Sequence, residues 1–258
     1  MRKTILLSTA LFTLVITTNA QTRNRQDSLN KESAKTELWE PVPKMVTPGN
    51  SSSDAPSDAV VIFNGKNVDA LQKENGGAVG WKIDNDGALT VVKGSGNIAT
   101  KQKFGNCQLH IEWRQPATIA GSSQTRGNSG IFFMGKYELQ VLDSYNNPTY
   151  VNGQAGSIYK QHIPLVNASR KPGEWQSYDV IFTAAKFNAD GSVQTPARIT
   201  VLHNGVLVQN NVEIKGNTEW IGQPKYTKVG DKESIVLQDH GRDGGEPMSY
   251  RNIWIREL

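Results

Sequence analysis

Apolar and polar residues alternate along most of the chain from residue 60 onward. Successive side chains of an extended strand point to opposite faces, so a period of two predicts β-strands rather than helices. The clearest alternation covers residues 107–114, 131–134, 137–142 and 198–202. The pair Asn204-Gly205 stands between two such runs and is typical of a tight β-hairpin.

Many short strands with glycine-rich turns predict an all-β domain, a concanavalin-like or lectin-like jelly-roll β-sandwich. The chain has 258 residues, and single all-β domains of about 200–250 residues are common. We predict three regions: a signal peptide over residues 1–20, a polar linker or arm over residues 21–57, and one sandwich domain over residues 58–258. The arm prediction rests on the stretch 48–56, which is rich in Pro, Gly and Ser.

The first 20 residues have the pattern of a secretory signal peptide. Arg2 and Lys3 precede an apolar run over residues 5–16, and Ala20 supplies a small residue before the cleavage point. The run is shorter than the ~20 residues that a membrane-spanning helix needs, and no cysteine follows it to carry a lipid anchor. We therefore expect a periplasmic or secreted protein without a membrane span after cleavage.

Composition removes several other classes of protein. Hydrophobic residues make up 37% of the chain and charged residues 20%, which excludes a wholly disordered chain. Loss of Arg2 and Lys3 with the leader takes the formal charge from +4 to +2, so we expect no nucleic-acid partner. The single cysteine, Cys107, excludes an internal disulfide, and it shares strand parity with Leu109 and Ile111, which predicts a core position.

Three strands place unusual polar groups on the face opposite their apolar one. The three sets are His110, Glu112 and Arg114; Glu138 and Gln140; and Gln238 and His240. Any one such strand alone is more typical of a solvated face, and Glu112 with Arg114 also fits a simple ion pair. If the three strands share a sheet, they form one patch of acids, bases and amides. Carbohydrate hydroxyls pair well with planar amides and carboxylates, so the patch favours a sugar-binding groove.

Loops and aromatic residues add candidates around this patch. The glycines of loop 126–130 allow a ligand to approach the backbone closely, and loops 143–147 and 156–162 are polar. Aromatic rings of Tyr159 and Trp175 are candidates for stacking on a sugar ring. The predicted substrate-binding residues are Arg126, Asn128, Gln140, Asp143, Tyr159, Lys160, Trp175 and Gln238.

Common catalytic motifs are missing. The sequence holds no phosphate loop, no dinucleotide fingerprint, no HExxH motif and no Gly-x-Ser-x-Gly elbow. Gln140 also stands two residues after Glu138, where many sandwich glycosidases carry a second carboxylate. A conventional glycosidase mechanism with two carboxylates is therefore doubtful.

A set of motifs in fixed order resembles the 3-keto-disaccharide hydrolase family. The resemblance covers about residues 58–258 and rests on residues 126–132, 137–143, 156–159, 173–175, 237–241 and 251–256. It implies a concanavalin-like jelly roll and cleavage of glycosides already oxidised at C3 of the sugar. The visible departure is a longer loop over residues 242–246, which affects one edge of the predicted groove.

The chemistry of such a substrate explains the missing carboxylate pair. A 3-keto group acidifies the C2 proton, so one base, one acid for the leaving oxygen and one group that holds the enolate charge are enough. We hypothesise that Glu138 or His240 is the base and that the other is the acid or a ligand. Arg114, or a divalent ion held by Glu112, Glu138 and His240, would stabilise the enolate; no other cofactor is expected.

Two other functions compete with this enzyme. A lectin-like module without catalysis would bind carbohydrate through the same amides and aromatic rings but release no product. An ordinary glycosidase would cleave unoxidised glycosides, against which the missing carboxylate pair argues. The residues leave open the aglycone, the choice between lyase and hydrolase, and the oligomeric state.

Overall fold

The computed structural model describes residues 21–241 and 247–258. The predicted signal peptide and the loop 242–246 therefore lie outside the described residues. The chain divides into two compact units, with the boundary between Met45 and Val46. Within the described part of the chain, no helix is both long enough and apolar enough to cross a bilayer.

Residues 21–34 of the first unit form an α-helix inside the stretch predicted as a polar arm. The side chain of Gln26 donates to Asn30 at 2.9 Å, and Lys35 pairs with Glu32 at 2.7 Å. Contacts between residues three or four apart support a solvated helix. The apolar periodicity that predicts helices is missing here, because the helix is exposed along its length.

The second unit, Val46–Leu258, carries the β-structure. Its described strands are β1 Val60–Phe63, β2 Leu71–Lys73, β3 Lys82–Ile83, β4 Leu89–Thr90, β5 Ile98–Thr100, β6 Cys107–Arg114, β7 Asn128–Phe133, β8 Tyr137–Leu142, β9 Gln176–Thr183, β10 Lys186–Phe187, β11 Val193–Thr195, β12 Arg198–His203, β13 Val206–Glu213, β14 Val236–Leu237 and β15 Ser249–Glu257. Short 3₁₀ turns cover Ser123–Thr125 and Val151–Gly153.

Two antiparallel sheets make the sandwich. The eight-stranded sheet has the order β13-β12-β9-β6-β15-β4-β3, with β1 also paired to β15. The five-stranded sheet has the order β2-β5-β14-β7-β8, and β10 with β11 forms a separate ribbon. The predicted all-β jelly-roll sandwich is confirmed.

The core lies between the two sheets. Alternate residues of β6 and β8 enter it from opposite sides, so Ile111 and Leu139 are both fully buried. The rings of Phe133 and Phe182 stack across the interface, with centroids 4.8 Å apart. The Tyr178 hydroxyl of β9 donates to the carbonyl of Gln140 in β8 at 2.9 Å, a polar bond between the sheets within the core.

Residues 46–57 belong to the second unit and lie against the eight-stranded sheet. The carbonyl of Ser53 accepts hydrogen bonds from the Asn252 side chain at 2.8 Å and from the Trp254 indole at 2.9 Å. Both donors belong to β15. This compact unit therefore begins before the predicted domain start at residue 58.

Cys107 lies in the core with no exposed surface, as its strand parity indicated. Burial raises the pKa of its thiol to about 12, with a further contribution from Glu257. A thiolate is the reactive form of cysteine, so the native protein should hold an inert thiol. We expect DTNB to titrate no thiol in the native protein and one per chain in guanidinium chloride. Stoichiometric reaction of the native protein within minutes would contradict a buried Cys107.

Candidate active site

A polar cavity of about 230 Å³ lies on the outer face of the five-stranded sheet. Strands β7, β8 and β14 are neighbours there and form its floor. Loops before and after the strands form its walls. We call it the catalytic cavity; its lining residues are Asn128, Phe132, Glu138, Gln140, Tyr159, Thr218, Trp220, Gln238 and His240.

Strand parity places the polar residues of β8 in this cavity. Tyr137, Leu139 and Val141 enter the core, so Glu138 and Gln140 face the other way. The segment 156–159 lies along the free edge of β8, where the backbone amide of Tyr159 donates to the Glu138 carbonyl at 3.2 Å. Because this edge is covered, both polar side chains are buried despite lying on an outer face.

Glu138 carries an isolated carboxyl group. Its side chain is 6% exposed, and among the described residues no hydrogen bond reaches its carboxyl oxygens. The side chain crosses Gly130 of the neighbouring strand, where an added Cβ would lie 2.5 Å from Oε1. Burial raises the pKa of Glu138 from 4.5 to about 8. A carboxyl poised near neutral pH can take up or release a proton during catalysis.

Two amide side chains offer unpaired acceptors to a ligand. Gln140 donates through Nε2 to Gln124 at 3.0 Å, while its Oε1 is buried without a partner in the described part of the chain. The Oε1 of Gln238 is likewise buried without a hydrogen-bond partner among the described residues. Unsatisfied buried acceptors are costly, and the hydroxyl groups of a sugar would satisfy them.

Hydrogen bonds of Asp239 hold the segment that carries Gln238 and His240 in place. The Asp239 carboxylate accepts from the backbone amide of Gly96 at 2.9 Å, and the Asp239 amide donates to Asn97 at 2.9 Å. His240 is exposed and lines the catalytic cavity next to the residues outside the described range. Its imidazole therefore belongs to the open edge of the site.

Tyr159 forms another wall. Its hydroxyl lies 2.7 Å from that of Tyr150. Burial, the hydrogen bond with Tyr150 and the nearby Glu138 all raise the pKa of Tyr159, so the hydroxyl remains a donor at neutral pH. The predicted substrate-binding residue Lys160 does not line this cavity; it lines a neighbouring pocket, and its ammonium donates to the Trp220 carbonyl at 2.6 Å.

The structure separates the predicted polar patch into two parts. Strand β6 pairs with β9 and β15 in the eight-stranded sheet, so Glu112 and Arg114 lie on the opposite outer face of the sandwich from Glu138. The prediction of one shared site is wrong for these two residues. Packed sheets are separated by about 10 Å, so Glu112 cannot share a metal ion with Glu138 and His240. No three His, Cys, Asp or Glu side chains of the described residues are grouped as metal ligands.

Trp175 also lies away from the catalytic cavity. It lines a pocket on the face of Glu112, and the guanidinium carbons of Arg114 and Arg251 lie 4.4 and 4.2 Å from its ring centroid. Arg114 itself pairs with Asp86 at 2.9 Å. The predicted roles of Trp175 in stacking and of Arg114 in holding the enolate are therefore wrong for this site.

Arg126 and Asp143 hold a loop together beside the cavity. The guanidinium Nε of Arg126 donates to Asp143 at 2.7 Å, and both side chains are buried. Arg126 also donates to the Tyr145 carbonyl at 2.9 Å. Neither residue lines the cavity, so their predicted contact with substrate is wrong. Their ion pair instead positions loop 143–147.

Three residues that line the catalytic cavity were not predicted from the sequence, namely Phe132, Thr218 and Trp220. Thr218 accepts through Oγ1 from the backbone amide of Glu138 at 2.9 Å, which fastens the loop around residue 218 to the start of β8. Trp220 follows in this loop with 74% of its side chain exposed. The adjacent apolar pair Trp220-Ile221 in an otherwise polar loop was the one signal that pointed here.

The buried Glu138 should make stability depend on pH. Because its pKa is raised in the folded state, the folded protein holds a proton that the unfolded chain loses between pH 4.5 and about 8, so stability falls as pH rises through that window. The Glu138→Gln variant has no carboxyl to ionise at this position, so it lacks this loss of stability. We expect the variant to gain stability over the wild type from pH 5 to pH 9, by roughly 4 kcal/mol at most.

Urea unfolding at pH 5, 7 and 9 measures the difference. Glu174→Gln, the same change at an exposed carboxylate, is the matched control and should show no such trend. If the free energy of unfolding changed with pH in the same way for Glu138→Gln and the wild type, Glu138 would not be desolvated in the folded protein.

Comparison with known proteins identifies the family and the fold of this chain. Residues 58–256 match the family model described as the 3-keto-alpha-glucoside-1,2-lyase-like domain. A solved structure from Parabacteroides distasonis, described as a "putative glycosyl hydrolase", is 56% identical, with a TM-score of 0.83 over 87% of this chain and 96% of that one. A second protein of that organism is 21% identical, with a TM-score of 0.57 over 83% of this chain and 100% of that one, and shows the fold alone. None of the curated proteins matches this chain.

Proposed function

This chain belongs to the 3-keto-alpha-glucoside-1,2-lyase-like family, and we propose that it cleaves 3-keto glycosides by proton abstraction at C2 and elimination of the aglycone. The family and the similar solved structure support a carbohydrate-active enzyme of the glycoside hydrolase or lyase type. The proposal of a 3-keto substrate rests on one observation above all. Among the described residues, the lining of the catalytic cavity includes one buried carboxyl, Glu138, rather than a pair.

Glu138 is the proposed general base. Its carboxylate takes the C2 proton, and the electrons of the C2–H bond form an enolate with the C3 carbonyl. A base of pKa about 8 is better matched to a carbon acid than an ordinary carboxylate. The hydroxyl of Tyr159 stays protonated at neutral pH, and on substrate binding it can turn from Tyr150 to donate to the enolate oxygen.

His240 is the proposed acid. As the enolate reforms the C3 carbonyl, a double bond forms between C1 and C2, and the bond from C1 to the leaving oxygen breaks. His240, at the open edge of the cavity, gives that oxygen its proton. Water added across the new double bond completes a net hydrolysis, and departure of the unsaturated sugar before that step makes the enzyme a lyase. The amide oxygens of Gln140 and Gln238 accept hydrogen bonds from sugar hydroxyls.

Matched p-nitrophenyl glucosides test this function. We expect nitrophenol release from the 3-keto glucoside and none from the unoxidised one, because only the ketone acidifies the C2 proton. Glu138→Gln should lower kcat by about 10²–10⁴-fold, the usual contribution of a general base, while Glu174→Gln keeps wild-type activity. Equal cleavage of both glucosides would contradict the mechanism, and binding without cleavage would support a lectin-like module.

The pH dependence assigns the role of Glu138. As the base it must be ionised, so kcat/KM should rise with pH along a limb centred near 8, and Glu138→Gln should abolish that limb. A profile that instead falls above pH 8 would make Glu138 the acid. Repeating the assay with a chelator separates a metal-assisted reaction from one carried by side chains alone.

Export is a separate proposal that rests on the first 20 residues of the sequence. In a bacterial host that expresses the whole chain, we expect a periplasmic or secreted protein whose sequence begins at Gln21. N-terminal sequencing of the fractionated protein checks this, and Leu11→Arg, which interrupts the apolar run, should keep the protein in the cytoplasm. An intact N-terminus on exported protein would contradict cleavage after Ala20.

A further inference from the structure

A second polar cavity, of about 550 Å³, lies on the outer face of the eight-stranded sheet. Its volume is within the range of about 300–1,000 Å³ that small-molecule sites occupy. The catalytic cavity lies on the other side of the sandwich, so the two share no wall residue. We call it the outer-sheet cavity; the side chains that matter below are His110, Glu112, Arg170, Trp175, Asp179 and Arg251.

His110 brings an unpaired donor to this cavity. Its side chain is 2% exposed, and its Nδ1 lies 2.6 Å from the Asp179 carboxylate. Its Nε2 is buried without a hydrogen-bond partner among the described residues, and the Glu112 carboxylate, at 3.7 Å, is too far for a hydrogen bond. Burial alone would lower the pKa of His110, but the carboxylates of Asp179 and Glu112 raise it to about 9. The ring is therefore charged at neutral pH, and Nε2–H lacks an acceptor.

The carboxylates of the cavity already have partners. Glu112 accepts from the Arg251 guanidinium at 2.6 Å and from the Asn252 amide at 3.0 Å. Asp179 accepts from His110. Both oxygens of Glu112 and one oxygen of Asp179 are thus engaged, and a cation bound at Glu112 would have to displace an existing ion pair.

The guanidinium groups, by contrast, keep free donors. Arg251 uses Nε for Glu112, and Arg170 uses one terminal nitrogen for the Trp175 carbonyl at 2.9 Å. No hydrogen bond to a described residue occupies the two terminal nitrogens of Arg251 or the other terminal nitrogen of Arg170. Contact with the Trp175 ring holds Arg251 in place, at 4.2 Å from the centroid. Arg170, Arg251 and His110 face the carboxylates of Glu112 and Asp179, so the cavity carries a net positive charge while the His110 ring is protonated.

We propose that the outer-sheet cavity binds an acidic sugar through its carboxylate. The free guanidinium nitrogens of Arg251 and Arg170 and the Nε2–H of His110 supply the donors, and arginine forks match the geometry of a carboxylate. The donors of this face carry the choice of a carboxylate, and the carbohydrate-active family of this chain carries the choice of a sugar. The proposal stands whether or not the catalytic cavity acts on 3-keto glycosides.

Binding of methyl glucuronide to the full chain, followed by ligand-observed NMR, tests the proposal. Methyl glucoside is the neutral counterpart, and acetate supplies the carboxylate alone. We expect saturable binding of the glucuronide, weaker binding of acetate and none of the glucoside at this site. Arg170→Gln and Arg251→Gln should each weaken glucuronide binding about ten-fold or more, the usual effect of losing a hydrogen bond to a charged group.

Two further variants separate this site from the rest of the molecule. Arg198→Gln is the matched control, because Arg198 is 43% exposed and Arg251 is 44% exposed. Glu138→Gln should bind the glucuronide as the wild type does, which excludes capture by the catalytic cavity. Arg170 is exposed, so its variant should fold even if Arg251→Gln does not. Absent binding, binding unchanged in the Arg170 variant, or equal affinity for acetate and glucuronide would each overturn the proposal.

Discussion

In the sandwich, every second side chain of a strand is buried in the apolar core between the sheets. The remaining side chains of that strand must therefore lie on the outer face of its own sheet. Ile111 of β6 and Leu139 of β8 meet in the core from opposite sheets. Their neighbours Glu112 and Glu138 are therefore directed away from each other. The chemistry of the molecule follows from this division, because each outer face collects its own set of polar groups.

On the five-stranded sheet, the polar groups are buried by loops rather than solvated. Residues 156–159 cover the edge of β8, and Thr218 holds another loop against its start. Removal from water is what raises the pKa of Glu138, since no charged partner contributes to the shift. Gly130 completes the arrangement, because any larger residue there would occupy the position of the carboxyl. The raised pKa of Glu138, the one carboxyl among the described residues that line this cavity, suits the proposed proton transfer.

On the eight-stranded sheet, similar residue types produce a different environment. His110 and Glu112 have close partners of opposite charge, so their pKa values move to favour the charged forms. Burial opposes the pKa shift of Glu112, but the nearby His110 ring and hydrogen bonds from Asn252 and Arg251 lower the pKa to about 2. These groups remain ionised through the neutral range, which suits the recognition of a charged ligand better than proton transfer.

The sequence by itself determined the β-sandwich, the parity of its strands and the core position of Cys107, because alternating apolar and polar residues show which face of a strand is buried. It also placed Glu138, Gln140, Gln238 and His240 on non-core faces, and these four do meet. It could not show that β6 pairs in the other sheet, because an alternating strand looks the same in either sheet. Only the tertiary structure decided that Glu112, Arg114 and Trp175 leave the catalytic cavity and that Trp220 joins it, because those placements depend on contacts between residues far apart in the chain.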